Sequence, residues 1–204
     1  MPGNNSLLKN LLFLFISVCT FNPSVNAQER KLVYDVMRNG EVIGTINFVE
    51  YVQGQRRLLS MISDVKTRYL FSFSDHTSET AGYDNGILVY SAFYQKQTGS
   101  GETNKSTIAS GKFYKVTDDG VSKLVSFNPI RYSMLRLYID IPDSINQVFS
   151  GNYQRLLDIK KIEENKYRLM LPGGKYNDYT YKNGVCTKVE IIRTLVSIQF
   201  VLKE

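Results

Sequence analysis

The sequence predicts a mainly β domain, a strongly curved antiparallel sheet or barrel-like meander with one or two short helices inserted near residues 130–150. Three observations carry this. Asn39-Gly40, Asn85-Gly86 and Asn183-Gly184 each fall between strand-like runs, and both central residues of a type I′ hairpin turn need positive φ, which Asn and Gly tolerate best. The flanking runs alternate apolar and polar residues with period two. The chain holds 14 tyrosines, 11 phenylalanines and no tryptophan, and aromatic rings suit the pleated surface of a sheet.

The elements follow in order. Residues 31–37 pair through the first Asn-Gly with 41–52, where Val42, Ile46, Phe48 and Val52 share a face. In 58–69, Leu59, Met61, Val65 and Tyr69 share a face, opposite Ser60, Asp64, Lys66 and Arg68. Residues 71–82 continue as a polar strand. The run 87–97 is apolar on both faces at first, as a central strand is. Residues 98–105 read as a loop by composition. Runs 112–117 and 121–127 frame a hairpin on Asp119-Gly120. Between 128 and 151 alternation stops, and Ile130, Met134 and Leu137 fall at helical spacing, followed by Pro142 and a second short turn through Ile145, Val148 and Phe149. Strand patterns return in 167–171, 179–181, 185–193 and 195–202. No long amphipathic helix exists to cover a broad sheet, so the sheet must curl on itself, with roughly ten strands by the turn spacing. A two-sheet sandwich is the runner-up.

The first 27 residues have the three-part layout of a secretory signal. A short acid-free start carries Lys9. An apolar run spans 11–21, and Val25-Asn26-Ala27 ends in small residues at the positions a signal peptidase reads. Cleavage after Ala27 leaves one domain, 28–204. The run is too short to span a bilayer as a helix, and no other segment is long enough. A lipid anchor at Cys19 is the competing reading. It fits less well, because Val18 precedes the cysteine where a small residue is expected. The expectation is therefore an exported protein, periplasmic or associated with the outer envelope. Losing Lys9 takes the net charge from +6 to +5. Arg30-Lys31, Arg56-Arg57 and Lys160-Lys161 are scattered basic doublets. No clustered basic face or motif points to nucleic acid. After cleavage Cys186 stands alone, so no internal disulfide supports the fold, and a buried inert thiol is its default role.

Catalytic chemistry finds little support. His76, the only histidine, shares a strand face with Ser74, while Asp75 points the other way and cannot orient it. No Gly-x-Ser-x-Gly elbow supports a serine hydrolase. One histidine and one cysteine do not make a zinc set, Asp118-Asp119-Gly120 is a turn, and no phosphate-binding loop occurs. No cofactor is implied. Asn104-Lys105-Ser106 fits a glycosylation sequon in a loop, relevant only to a eukaryotic pathway. The candidate ligand-binding stretch is Arg131, Tyr132, Leu135, Arg136 and Tyr138, where two arginines and two tyrosines interrupt the sheet pattern. There a helix over the mouth of a curved sheet would gate an apolar cavity and meet an anionic headgroup. The competing interpretation is an apolar stripe that simply plugs the sheet.

Tyr34-Asp35-Val36, Gly40-Glu41-Val42-Ile43-Gly44, the run 132–138 with Val148-Phe149-Ser150, and the run 179–184 resemble a family of exported bacterial proteins known as domain of unknown function 6134. The resemblance implies an envelope location and brings no activity, substrate or catalytic residue. Two functions are expected of such a chain. One is a non-catalytic domain binding lipid or another amphiphile. The other is a filled-core module that binds an envelope protein. A hydrolase using His76 comes third.

Overall fold

A computed structural model describes residues 27–68, 72–192 and 197–204. The leader assigned to residues 1–27 lies outside the described residues except for Ala27. The first strands are β1 (Gln28–Arg38), β2 (Glu41–Gln53), β3 (Arg56–Arg68), β4 (Ser72–Asp84), β5 (Ile87–Gln97), β6 (Gly101–Ser110), β7 (Phe113–Asp118) and β8 (Val121–Val125). A 3-10 turn, Met134–Tyr138, follows, and then β9 (Gln147–Ser150), β10 (Arg155–Glu163), β11 (Lys166–Met170), β12 (Tyr176–Lys182), β13 (Val185–Ile192) and β14 (Ser197–Leu202).

All fourteen strands join one sheet in the order β8-β7-β6-β5-β4-β3-β2-β1-β14-β13-β12-β11-β10-β9. It is an antiparallel meander whose first strand pairs with its last, Tyr34 opposite Leu202. The interruption falls instead between β8 and β9, so the sheet is barrel-like but not closed. The connection between those two strands is the stretch that breaks the alternation.

Turn chemistry sets the registers. Asn39 and Gly40 have φ of 52° and 83°, and Asn85-Gly86, Asp119-Gly120 and Asn183-Gly184 repeat the pattern, as type I′ hairpins require. At Gly44 the constraint is different. A Cβ there would stand 2.3 Å from the Asp64 carbonyl oxygen, so β2 and β3 approach this closely only over glycine.

The concave face is apolar and filled. Tyr34, Ile46, Phe48, Leu59 and Leu88 are fully buried. The stretch 130–139 crosses over them as a plug. The Leu88 N–H donates to the Ile130 carbonyl at 2.8 Å, and the Phe149 N–H to the Tyr132 carbonyl at 2.8 Å. The Tyr181 hydroxyl donates to the Leu137 carbonyl at 2.7 Å. The Tyr138 ring lies 5.3 Å from Tyr34, 5.4 Å from Phe48 and 6.4 Å from Tyr179. Each such side chain contributes about 1.5–3 kcal/mol of burial, and the Tyr34 and Tyr181 hydroxyls donate to the Cys186 and Leu137 carbonyls, as buried polar groups must. The turn after β9 also reaches inside. A Cβ on Gly151 would lie 2.8 Å from both Glu79 Oε1 and Ser91 Oγ, and the Gln154 amide donates to the Ser106 and Thr117 carbonyls at 2.8 and 2.9 Å.

Several expectations are corrected. The described residues form fourteen strands, not roughly ten. Residues 101–105, read as a loop, open β6, because only Thr98–Ser100 form the turn and the polar residues beyond pair with β5. The sequon at Asn104 therefore lies in a strand. The expected helices reduce to the five-residue 3-10 turn, since the segment gets its order from packing into the sheet rather than from its own hydrogen bonds. Ile145, Val148 and Phe149 do not form a second turn. Val148 and Phe149 belong to β9, both fully buried. One continuous sheet replaces the sandwich alternative. Among the described residues no helix is long and apolar enough to cross a membrane.

Candidate functional site

Three charged side chains sit on the concave face at one end of the strands. Arg30 of β1, Glu50 of β2 and Arg57 of β3 occupy the same alternation positions as the buried Tyr34, Phe48 and Leu59. This end is the mouth of the curved sheet. Asp140, just past the 3-10 turn, comes to meet them.

Arg57 joins the two carboxylates. Its Nε donates to Glu50 Oε1 at 2.5 Å, and Nη1 and Nη2 donate to Asp140 at 2.9 and 3.2 Å. Arg136 Nε donates to Asp140 Oδ2 at 2.7 Å, and Arg30 Nε stands 3.8 Å from Glu50 Oε2. The Arg136 guanidinium lies over the Tyr132 ring at 4.6 Å and near Tyr83 at 5.8 Å, the geometry of a cation–π contact. Tyr83 donates to Ser133 Oγ at 2.7 Å, and Tyr132 donates to the Asp140 carbonyl at 2.5 Å. Burial pushes the Tyr83 hydroxyl up to about 12 and the Tyr132 hydroxyl upward, so both stay neutral donors. Burial alone would raise Asp140, but the hydrogen bonds and charges of Arg57 and Arg136 outweigh it and hold the carboxyl below its ordinary value. The same carboxylates raise Arg57 against the opposing effect of its burial.

The network borders two adjoining clefts. One, of about 460 Å³, is lined by Arg30, Glu50, Arg56, Arg57, Tyr83 and Arg136, among others. The other, of about 370 Å³, is lined by Tyr51, Leu58, Gly82 and Val89, with Ala27 at its border. They share Val52, Arg56, Arg57 and Tyr83. A basic hollow on the concave side and an apolar depression on the convex side therefore meet at the rim of the sheet. Arg56 is exposed at their junction.

The sequence-derived candidates separate. Arg136 and Tyr132 belong to this network. Arg131 is exposed and contributes its carbonyl, which accepts from Arg136 Nη1 at 2.7 Å. Leu135 and Tyr138 are 1% and 5% exposed and pack in the core. The expected cavity beneath the segment is occupied by the segment's own side chains. His76 finds a carboxylate across the sheet: its Nδ1 lies 2.7 Å from Asp64 Oδ1, both side chains about half exposed. Ser74 is engaged elsewhere, its hydroxyl 3.1 Å from Thr98 Oγ1. Burial pushes the Cys186 thiol up to about 12, far from a reactive thiolate. Arg30, Glu50, Arg57, Tyr83 and Asp140 are not among the sequence-derived candidates. The signal for the strand members is a charge on an otherwise apolar face.

Residues 34–203 match the family described as domain of unknown function DUF6134, and the chain belongs to it. No curated protein matches the sequence. The fold is similar to the crystal structure of a beta-barrel-like protein of the domain of unknown function DUF1849 from Brucella abortus. The TM-score is 0.55 at 9% identity, covering 85% of this chain and 95% of that one. At that identity the likeness concerns the fold alone.

Proposed function

We propose that this member of the DUF6134 family is exported to the bacterial envelope and acts there as a non-catalytic binding domain for an anionic amphiphile. The observation that carries the reading is the pair of adjoining clefts, basic and apolar, that share Arg56, Arg57 and Tyr83. Arg57 and Arg136 are offset by Glu50 and Asp140, so the net positive charge of the hollow comes from Arg30 and Arg56, whose guanidinium donors stand at its rim. The ligand's apolar part lies along Tyr51, Leu58 and Val89. The ligand thus sits at the mouth, since the plug fills the interior. Export is supported by the leader pattern, and β1 begins at Gln28, next to the expected cleavage position.

Lysophosphatidylglycerol is the test ligand, with lysophosphatidylcholine as its zwitterionic counterpart, both below their micelle concentrations. The anionic lipid should bind in calorimetric titration, and Arg30→Glu with Arg56→Glu should weaken binding about tenfold or more. Equal binding of both lipids, or no loss in the double variant, rejects the site. A second reading, a filled-core module for an envelope protein, draws on β8, an edge strand with Val121 77% and Leu124 63% exposed. Strand addition there would be abolished by Ser122→Pro, which leaves the clefts untouched.

A further inference from the structure

The convex face of β2–β8 carries a second feature that the clefts do not absorb. Cross-strand register lines up one row of outward residues over seven strands. Tyr51 is opposite Leu58, Leu58 opposite Gly82, Gly82 opposite Tyr90, and Tyr90 opposite Ile108. Ile108 is then opposite Lys115, and Lys115 opposite Leu124. Tyr51, Leu58, Tyr90, Ile108 and Leu124 are 45%, 42%, 39%, 46% and 63% exposed. Gly82 opens no break, because Leu58, Val89 and Tyr90 side chains surround the space above it at 3.9 Å. At ~4.8 Å between strands the row is about 30 Å long.

The neighbouring outward row contains Ser60, Thr80, Ala92, Ser106, Thr117 and Ser122, in direct register and without a charge. Charges gather at the margin. Arg56 and Lys112 are exposed there, and Lys115 within the row itself, against Asp84 and Glu29, and Glu29 is paired with Lys31 at 3.0 Å. An apolar band with tyrosines, rimmed by cations, matches the headgroup boundary of an anionic bilayer in both polarity and sign. The chain's own path agrees. Ala27 lines the depression formed by Tyr51, Leu58 and Val89, so the described chain enters the domain at this face.

We infer that the convex face of β2–β8 docks on an anionic membrane surface, through the row Tyr51, Leu58, Tyr90, Ile108 and Leu124. The inference shares the envelope location with the reading above but not its ligand. Ile108 and Leu124 line neither cleft, so the two can fail separately.

The experiment is co-sedimentation of the processed protein, purified without detergent, with vesicles of phosphatidylethanolamine and phosphatidylglycerol, against vesicles of phosphatidylcholine alone. Binding should favour the anionic vesicles and weaken with salt. Ile108→Asp and Leu124→Asp should each reduce it about tenfold, as expected from losing roughly half of a leucine-sized burial. Val42→Asp, at an apolar position 56% exposed elsewhere, should change nothing. Because the chain has no tryptophan, Ile108→Trp gives a clean reporter whose emission should shift to the blue on anionic vesicles, while Val42→Trp should not shift. Absence of vesicle binding, or equal behaviour at 42 and 108, overturns the inference. So does a concentration-dependent dimer, seen by ultracentrifugation, that Ile108→Asp dissolves, because the face is then a contact between copies. Lysolipid binding that survives Ile108→Asp keeps the cleft reading separate from this one.

Discussion

The middle of β1–β4 and the mouth ends of the same strands follow opposite rules. In the middle, Ile46, Phe48, Leu59 and Met61 face the core while Asn47, Ser60 and Asp64 face outward. Two residues nearer the mouth, Glu50 and Arg57 take the inward positions, and Tyr51 and Leu58 the outward ones. The period of two is unbroken, so the strand geometry is the same. Only the polarity inverts. An inward charge has a desolvation cost unless it is paired, and here Arg57 bridges Glu50 and Asp140. An outward apolar row gives the fold only its cross-strand contacts, about 0.2–1 kcal/mol per pair. The middle of each strand stabilises the domain, and in the function proposed above the mouth end serves binding.

That contrast is most directly tested with one large side chain from each region. Tyr138→Ala should cost about 3–5 kcal/mol, because the ring is enclosed by Tyr34, Phe48 and Tyr179 and a cavity remains. Leu58→Ser, on the outward mouth row, should change stability by no more than about 0.5 kcal/mol. Urea unfolding of both variants measures the difference. Comparable losses would mean that Leu58 belongs to the core and that the inversion has no functional content.

Asp140→Asn examines the paired charges at the mouth. Arg57 and Arg136 would lose their shared carboxylate, with a cost of about 2 kcal/mol after allowance for their partial exposure. The sign with pH is fixed. Asp140 is held below its ordinary 3.8, so its contribution is present above that value and disappears as pH falls through the folded-state value. The parent should therefore lose stability in acid along a limb that the variant lacks. Parallel acid limbs in urea titrations would show that the arginines do not depend on this carboxylate.

Much of this is legible in the sequence. The Asn-Gly turns and period-two runs identify the meander and the curl, because hairpin geometry is local. The pairing of β1 with β14 is not legible, since nothing local records a contact between chain ends. Residues 101–105 resemble a loop because their strand shows polar side chains and begins at Gly101, where φ is 77°. The stretch 130–149 resembles a helix because its apolar spacing reflects packing against a curved sheet rather than a helix face. Arg136 and Tyr132 stand out by composition. Arg30, Glu50 and Arg57 need a further step: alternation places Glu50 on the face of Ile46 and Phe48, and Arg57 on that of Leu59 and Met61. A charge in such a position requires a partner or a ligand, a rule readable before any coordinates. Asp140, the partner, lies too far along the chain for pattern to reveal it.

Glu79 supplies the sharpest contrast with the mouth. It too faces inward, but in the middle of β4, where no arginine among the described residues answers it. Burial pushes its carboxyl up to about 7, and the Gly151 N–H lowers it only in part. Its folded-state value thus exceeds the ordinary 4.5. Between those values the folded chain binds more protons than the unfolded one, so stability falls as pH rises through that window and levels above it. Glu79→Gln removes the ionisation while keeping the size. Its advantage over the parent should be near zero in acid and grow from pH 4.5 to about 7. Above that it should reach about 2 kcal/mol, because each tenfold change in proton affinity corresponds to ~1.4 kcal/mol and an ionised carboxyl recovers part of its cost by admitting water. Paired urea titrations across this range give the difference directly. A flat difference would mean that Glu79 is solvated or has a cation partner. The inward charges at the mouth would then need no arginine network to be tolerated, and the distinction between the two ends of the strands would fail.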